Sequence, residues 1–152
     1  MTNSQLDPSS VIARFRAGVE GKDIDAVLAT FSPDIRFFSP VKFTPFEGID
    51  VVGALFRVLL RTFEEFRYVG ELSGPAEADD DAPAVDSHIL VFRTRVNGKS
   101  VHGIDLVQPG GDGLIETFTV MIRPMSAVQI VSDAIFAGLV TDGVLPSPAT
   151  SD

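Results

Sequence analysis

The sequence predicts an α+β fold in which three helices come first, a sheet rich in hairpins follows and a last helix closes the chain. Apolar residues recur at helical spacing in 11–19 and 51–63, whereas from Phe66 onward they alternate at every second position. Asn97-Gly98 is a strong hairpin signal, because both residues tolerate a positive φ. A curved antiparallel sheet with helices packed across it leaves a concave side, where a pocket is expected.

The first three helices are placed by capping residues and breakers. Asp7-Pro8 predicts the start of the first helix, and Asp23 is expected to cap a short second one. Ser32-Pro33 is expected to stop the second helix. The third helix carries one broad apolar face over 51–63.

The remaining chain is predicted to form strands and one further helix. The predicted strands cover 35–39, 66–73, 85–96, 99–108 and 114–123. Pro124 breaks the last strand, and Ser126 is expected to cap the final helix. A single domain is expected over 1–140, followed by a disordered tail over 141–152.

Composition excludes several classes of function. The chain has 152 residues, with 12 Lys and Arg against 21 Asp and Glu, so its net charge is -9. Nucleic acids and anionic membranes need basic patches, so neither is an expected partner. No apolar run approaches the length of a membrane span and the N-terminus does not resemble a signal peptide, so cytoplasmic residence is expected.

No cofactor or metal is expected. The chain has no Cys, and its GGDG segment lies between strands rather than before a helix, which disfavours a phosphate loop. The spacing of His, Asp and Glu matches no metal motif, and there is no GxSxG elbow. Twelve Phe but one Tyr and no Trp indicate an interior with aromatic surface and few hydrogen-bonding groups on the rings. A small, largely apolar molecule is the expected ligand.

Several segments together resemble the nuclear transport factor 2-like superfamily. They are GKDIDAVLATFSPDIRFFSP, EGIDVVGALF and NGK…GIDLV…GDGLIETFTVMIRP. Within it, the SnoaL-like polyketide cyclases and ketosteroid isomerases are the most similar. The resemblance covers about residues 8–138. It implies a cone: a curved antiparallel sheet wrapped around three N-terminal helices, with a C-terminal helix and a pocket at one end, as in cystatin-like folds. The family includes enzymes, ligand binders and transport adaptors, so the fold alone names no function.

Matching the ketosteroid isomerase pattern implies a set of site residues. Asp105 falls where that enzyme has its oxyanion-stabilising Asp, which stays protonated because its site is apolar. Phe15 falls at the place of a hydrogen-bonding Tyr, and Ser39 at the place of the general-base Asp. Since a Phe donates no hydrogen bond and an unassisted Ser is no base at neutral pH, steroid isomerisation by that mechanism is not expected. The implied pocket lining is Phe15, Val19, Ser39, Leu55, Tyr68, His88, Leu90, Phe92, Val101, Gly103, Asp105, Phe118 and Ile122.

Asp105, His88 and Tyr68 are the candidate catalytic residues. Burying Asp105 between two apolar strand neighbours is costly unless it is paired or protonated, so it is either an acid or anchor in the pocket or a structural Asp bonded to a helix or to Tyr68. His88 is either a base paired with Asp105 or an idle strand-end side chain. Tyr68 either donates to a ligand carbonyl or points its hydroxyl into water.

Two functions from different classes follow. One is a SnoaL-like pocket protein that catalyses a cofactor-independent proton transfer, as an isomerase, cyclase or hydrolase. The other is a non-catalytic ligand-binding or interaction module. In either case Ile104, Leu106 and His102 point away from the Asp105 face of their strand, which favours a homodimer through the outer face of the sheet.

Overall fold

A computed structural model describes residues 10–146. The helices are α1 (Val11–Glu20), α2 (Ile24–Leu28), α3 (Ile49–Thr62) and α4 (Met125–Thr141). The strands are β1 (Phe31–Phe38), β2 (Phe46–Glu47), β3 (Glu64–Glu77), β4 (Ala84–Val96), β5 (Lys99–Pro109) and β6 (Ile115–Arg123). The predicted α+β class and the curved, unclosed sheet with helices before and after it are confirmed.

The six strands form one sheet in the order β2-β1-β6-β5-β4-β3. Strands β3 to β6 are a continuous antiparallel meander. Strand β1 departs from the expected pattern, because it runs parallel to β6, with Phe37 opposite Phe118. This pairing brings the N-terminal segment back beside the last strand, so β1 and β6 both border the helices.

Local capping fixes the first two helices. The Ser10 hydroxyl accepts a hydrogen bond from Ala13 N at 3.1 Å, so α1 begins at Val11, while the predicted start at Asp7-Pro8 lies outside the described residues. The Asp23 carboxylate accepts from Ala26 N at 3.1 Å and caps α2 as predicted. Satisfying these otherwise unpaired N–H groups holds the short helices in place.

Two sequence predictions about boundaries are wrong. Strand β1 begins at Phe31, four residues before the predicted start, because Pro33 is accommodated where the register with β6 shifts between Phe31 and Arg36. Ser126 does not cap α4. It lies inside the helix, and the backbone oxygen of Pro124 accepts from Ala127 N at 2.9 Å instead.

The core lies between the helices and the concave face of the sheet. Phe15 on α1, Leu90 and Phe92 on β4, and Phe118 on β6 are almost completely buried. Gly18 permits α1 and α2 to touch, since a Cβ there would lie 2.9 Å from Val27 Cγ2. The core therefore positions α1 directly across the sheet.

The first residues of the predicted tail are in contact with the fold. The Arg61 guanidinium donates to both carboxylate oxygens of Asp142, at 2.8 and 2.9 Å. Leu145 is partly buried against the core. Residues 147–152, the rest of that predicted tail, lie outside the described residues.

The outer face of the sheet is the surface turned away from the helices. Two cross-strand rows on it are largely apolar: Gly70, Val91, Ile104 and Met121, and Leu72, Ile89, Leu106 and Thr119. Leu72 and Met121 are 61% and 53% exposed. Within residues 10–146, no helix is both long and apolar enough to span a membrane.

Candidate functional site

A cavity of about 210 Å³ lies between the concave face of the sheet and the helices. Helices α1, α3 and α4 contribute Phe15, Leu55 and Ile135, among others, and the sheet contributes Phe92 and Phe118. A smaller engineered apolar cavity of about 150 Å³ holds benzene, so this space suits a molecule of one or two rings.

The walls are aromatic. Phe15, Phe56 and Phe118 pack on one another with ring centroids 5.2 to 6.3 Å apart. A second cluster on the other side joins Phe66 to Phe92, with stacked rings at 5.0 Å. Most of the twelve Phe residues line the cavity or lie in these clusters, so the unusual aromatic composition has a structural role.

Asp105 and Tyr68 form the polar pair in this wall. The Tyr68 hydroxyl donates a hydrogen bond to Asp105 Oδ2 at 2.8 Å. Both residues are buried, with 6% of Asp105 and 7% of Tyr68 exposed, and both line the cavity. No other side-chain hydrogen bond to this carboxyl is formed by residues 10–146, so Oδ1 has no such partner among them.

Burial controls the protonation of this pair. Loss of water around the carboxyl raises the pKa of Asp105 from 3.8 to about 7, and the hydrogen bond from Tyr68 opposes part of that rise. Burial, together with the neighbouring Asp105 charge, raises the pKa of Tyr68 well above 10. Near neutral pH, Tyr68 therefore stays a donor while Asp105 exists in both its acid and its carboxylate form.

The Arg16 side chain links α1 to the back of Tyr68. Its guanidinium carbon lies 5.5 Å from the Tyr68 ring centroid, and its Nη1 donates to Glu71 Oε1 at 3.2 Å. A cation over the ring face and an ion pair behind it restrict where the Tyr68 ring can lie. Arg16 thus helps to aim the Tyr68 hydroxyl at Asp105.

The rim of the cavity carries the remaining polar side chains. Ser39, Lys42 and Ser132 line it there. The Ser39 hydroxyl accepts from the backbone N–H groups of Val41 and Lys42, each at 3.2 Å, and so shapes the loop after β1. The Lys42 ammonium lies 4.1 Å from the Phe46 ring centroid. These groups lie at the entrance, whereas Asp105 lies in the buried wall.

Nine of the thirteen residues that the sequence placed at the pocket line this cavity, and four do not. The nine are Phe15, Val19, Ser39, Leu55, Tyr68, Phe92, Asp105, Phe118 and Ile122. Gly103 is covered by the Phe92 ring, which approaches so closely that a Cβ at Gly103 would clash with it. Leu90 is fully buried opposite Asp105, and Val101 borders a different pocket on the outer face.

His88 is not brought to Asp105. It pairs with Val107 two rows beyond the Leu90–Asp105 pair, and its Nε2 lies 3.2 Å from Asp86 Oδ2. Its Nδ1 is buried and has no hydrogen-bond partner among the described residues. Of the two alternatives left open for His88, the pairing with Asp105 is therefore not formed, and His88 contacts Asp86 on its own strand instead.

The sequence interpretation missed the contribution of α4 and most of that of α3. Val131, Ser132, Ile135 and Phe136 of α4 line the cavity, as do Phe56, Leu59 and Leu60 of α3 and Phe66 of β3. The broad apolar face of α3 was recognised over 51–63, but only Leu55 on it was placed at the pocket. Helix spacing shows which face is buried and does not show whether that face meets side chains or a cavity.

The arrangement suits proton transfer or hydrogen bonding to one polar atom of an apolar molecule. The carboxyl donates in its acid form and accepts in its carboxylate form, and the apolar walls strengthen either interaction. Among residues 10–146 no group of three His, Asp or Glu side chains is placed to hold a metal ion.

Comparisons with known proteins support the same fold. An uncharacterised protein with a cystatin-like fold from Silicibacter pomeroyi is 29% identical, with a TM-score of 0.76 over 88% of this chain and 87% of that one. A steroid delta-isomerase from Pseudomonas aeruginosa is also 29% identical, with a TM-score of 0.76 over 89% of this chain and 93% of that one. A SnoaL-like protein of unknown function from Burkholderia thailandensis is 19% identical, with a TM-score of 0.57 over 74% and 92%.

No curated protein matches the sequence. A family model described as SnoaL-like domain matches residues 12–116, which is more than half of the chain. That segment contains α1 from its second residue, α2, α3, β1 to β5 and both members of the Tyr68–Asp105 pair. The resemblance to the nuclear transport factor 2-like superfamily is thereby confirmed, and the chain belongs to the SnoaL-like domain family.

Proposed function

We propose that the protein binds a small, largely apolar carbonyl compound in the central cavity and that Asp105 exchanges a proton with it. The observation that carries this proposal is the buried Tyr68–Asp105 pair in an otherwise aromatic wall. The reaction class is a cofactor-independent proton transfer, such as an isomerisation, an aldol-type cyclisation or a hydrolysis.

The protonation of Asp105 supports this role. A general acid or base works best when its pKa lies near the working pH, and burial raises the pKa of Asp105 to about 7. The acid form donates a hydrogen bond to a ligand carbonyl from Oδ1, while Tyr68 holds Oδ2. The carboxylate form removes a proton from the carbon next to that carbonyl.

Similarity to a protein named steroid delta-isomerase supports the proposal of isomerase activity only in part. Phe15 and Ser39 line the cavity at the places that the family resemblance assigns to a Tyr and a base. Neither supplies that chemistry, and the Ser39 hydroxyl is engaged by two backbone N–H groups. The proposed chemistry therefore relies on a single carboxyl, which removes and returns the proton itself.

A pH titration of ligand binding tests the acid form. The probe is 2-acetonaphthone, a bicyclic ketone with one polar atom. If only the acid form donates to the ketone, a pKa of about 7 lowers the affinity about tenfold between pH 6 and pH 8. In Asp105→Asn the amide keeps a donor at every pH, so affinity should not change over that range. Equal pH dependence in both proteins would contradict the proposal.

Proton transfer itself is tested by deuterium exchange. In D2O the wild-type protein should speed the replacement of the methyl protons next to the ketone of 2-acetonaphthone, followed by NMR. Asp105→Asn should bind the ketone without speeding exchange, because an amide is no base. Asp50→Asn, which removes an exposed carboxyl at the start of α3, is the control and should retain exchange.

The alternative is a ligand-binding module without catalysis. The observation that favours it is that Asp105 is the one carboxyl among the described residues that line the cavity, so no second acid or base is available to share a reaction. Wild-type binding of the ketone with no acceleration of deuterium exchange would select this alternative.

We also propose that the chain forms a homodimer through the outer face of the sheet. The two apolar rows on that face run across four strands and carry the exposed side chains of Leu72 and Met121. Contiguous exposed apolar surface of this kind is typical of an interaction site. The apolar rows are continuous across four strands, so a second copy of the same sheet is a suitable partner.

A further inference from the structure

A row of basic side chains crosses the outer face next to the two apolar rows. Arg67 on β3 lies opposite Arg93 on β4, Arg93 lies opposite His102 on β5, and His102 lies opposite Arg123 on β6. We call these four residues the basic row. Side chains directly opposite each other on neighbouring strands have Cβ atoms only about 5 Å apart.

The basic row lacks compensating carboxylates. Arg67, Arg93 and Arg123 form no ion pair with any residue in 10–146, and Arg123 Nη1 instead lies 3.4 Å from His102 Nδ1. Other Arg residues of the chain are paired: Arg36 with Asp79 at 2.7 Å and Arg61 with Asp142 at 2.8 Å.

The basic row stands out because carboxylates are abundant in this chain, with 21 Asp and Glu against 12 Lys and Arg. Like charges directly opposite one another on a sheet are destabilising. The row therefore has an electrostatic cost that a bound anion would remove.

The side chains of the basic row share a pocket. It has a volume of about 340 Å³, and Arg95 and Ser100 also line it. The one carboxylate in its lining is Glu65, which lies 3.8 Å from Arg95 Nε in an exposed pair. The pocket thus offers several guanidinium groups and a hydroxyl, which are all hydrogen-bond donors, and an excess of positive charge.

We propose that this pocket, which we call the outer pocket, binds an oxyanion of phosphate chemistry with at least two negative charges. Planar guanidinium groups match phosphate oxygens with paired hydrogen bonds, and several of them can bind one phosphate at once. The net charge of -9 does not prevent this, because at physiological salt exposed charges beyond about 8 Å are largely screened. The local charge of the outer pocket decides the interaction.

The outer pocket is independent of the central cavity. The basic row has the opposite strand parity to Asp105, so the sheet separates the two sites. The same phosphate chemistry has two sources, free inorganic phosphate and the phosphate monoester of a small molecule. Neither source depends on the proposed proton transfer, so failure of one proposal leaves the other intact.

Calorimetry with inorganic phosphate tests the site. Titrations are run on the full chain at constant ionic strength set with sodium chloride, so that general screening does not change. The wild-type protein should bind phosphate, and Arg93→Gln should weaken binding at least about tenfold, because hydrogen bonds to charged groups are strong. Arg57→Gln removes the same charge from an exposed position on α3 and should leave the affinity unchanged.

Thermal unfolding provides a second readout that does not rely on one variant. Phosphate should raise the melting temperature of the wild-type protein and of Arg57→Gln, but should raise that of Arg93→Gln and Arg67→Gln much less. Tighter binding of phenyl phosphate than of phosphate would support the site. It would also indicate that the bound phosphate group belongs to a phosphorylated small molecule. Equal or weaker binding would support the site with free phosphate as the source.

Three results would overturn the proposal. One is the absence of any heat or thermal shift from phosphate at constant ionic strength. Another is equal weakening by Arg57→Gln and Arg93→Gln, which would indicate a general charge effect. The third is a wild-type dimer that does not bind phosphate and that dissociates in Arg93→Gln. The basic row would then contact a second copy of the chain.

Discussion

The Asp105 carboxyl lies on a central strand and accepts a hydrogen bond from the Tyr68 hydroxyl at 2.8 Å. A single hydrogen bond does not replace the hydration of a full negative charge, so the acid form is favoured in the folded protein. The same burial that prepares Asp105 for proton exchange near neutral pH also makes the stability of the fold depend on pH.

The free energy of unfolding should fall as the pH rises from about 4 to about 7. In that window the folded protein holds the Asp105 proton, whose pKa is about 7, and the unfolded chain, with an Asp pKa of about 3.9, does not. The stabilisation is complete below the unfolded pKa and is lost above the folded one. Between pH 5 and pH 8 the loss amounts to about 2 to 3 kcal/mol.

Urea unfolding of the wild-type protein and of Asp105→Asn at pH 5 and pH 8 measures this loss. The Asn variant binds no proton at this position, so its change in unfolding free energy reports all other groups. The wild-type protein should lose about 2 to 3 kcal/mol more than the variant. Parallel pH dependence of the two proteins would show that Asp105 has an ordinary pKa.

Tyr68→Phe should move the Asp105 titration to higher pH. The hydroxyl stabilises the carboxylate and so lowers the pKa of Asp105, and removing it leaves burial unopposed. One hydrogen bond to a charged group corresponds to roughly one pH unit or somewhat more. Carbon-13 NMR of the labelled Asp carboxyl gives the midpoint directly. A midpoint at lower pH would show that the hydroxyl acts in the opposite sense.

At the scale of the helices, the contact between α1 and α2 depends on Gly18. A Cβ there would lie 2.9 Å from Val27 Cγ2 and 3.1 Å from Val27 N, which is part of the backbone. Gly18→Ala gains about 1 kcal/mol of helix propensity, but the clash is expected to cost more, for a net loss of about 1 to 2 kcal/mol.

Gly53→Ala on α3 is the matched helical control for Gly18→Ala. Its Cβ would meet the flexible end of Leu28, at 3.3 Å from Cδ1, so the neighbour can move and stability should be unchanged or increased. Chemical denaturation of both variants gives the comparison. A Gly18→Ala protein as stable as Gly53→Ala would mean that α2 shifts freely, contrary to close packing against α1.

Local signals predicted the secondary elements well where one residue type decides the conformation. The Asn97-Gly98 turn is confirmed, with φ of 51° and 79° at its two residues. Pro33 misled the interpretation, because a proline that usually ends an element is tolerated where the ladder is already irregular. That irregularity, and the parallel pairing of β1 with β6, depend on segments more than eighty residues apart, which local patterns do not report.

At the scale of the whole molecule, strand parity predicted which face each strand residue occupies but not how far the cavity extends. Asp105 and Tyr68 both turn toward the cavity, whereas Gly103, on the same face, is covered by Phe92. The difference arises from ring packing between strands, and no period in the sequence encodes it. Local sequence patterns do not reveal the basic row either, because register across four strands is needed to align it.

The proposed dimer depends on contact between the outer faces of two whole molecules. Ile104→Lys places a charge in the middle of the apolar outer face, where burial against a second copy would require removing water from an ammonium. The wild-type protein should have the mass of two chains in light scattering, and Ile104→Lys should have the mass of one.

Phe43→Lys is the control for Ile104→Lys, because Phe43 is 98% exposed on the loop between β1 and β2 and away from the outer face. It should remain dimeric. Circular dichroism of both variants separates loss of the dimer from loss of the fold, since the side chain of Ile104 points away from the core. A wild-type protein of single-chain mass at micromolar concentration would contradict the dimer, and the exposed Leu72 and Met121 would then need another partner.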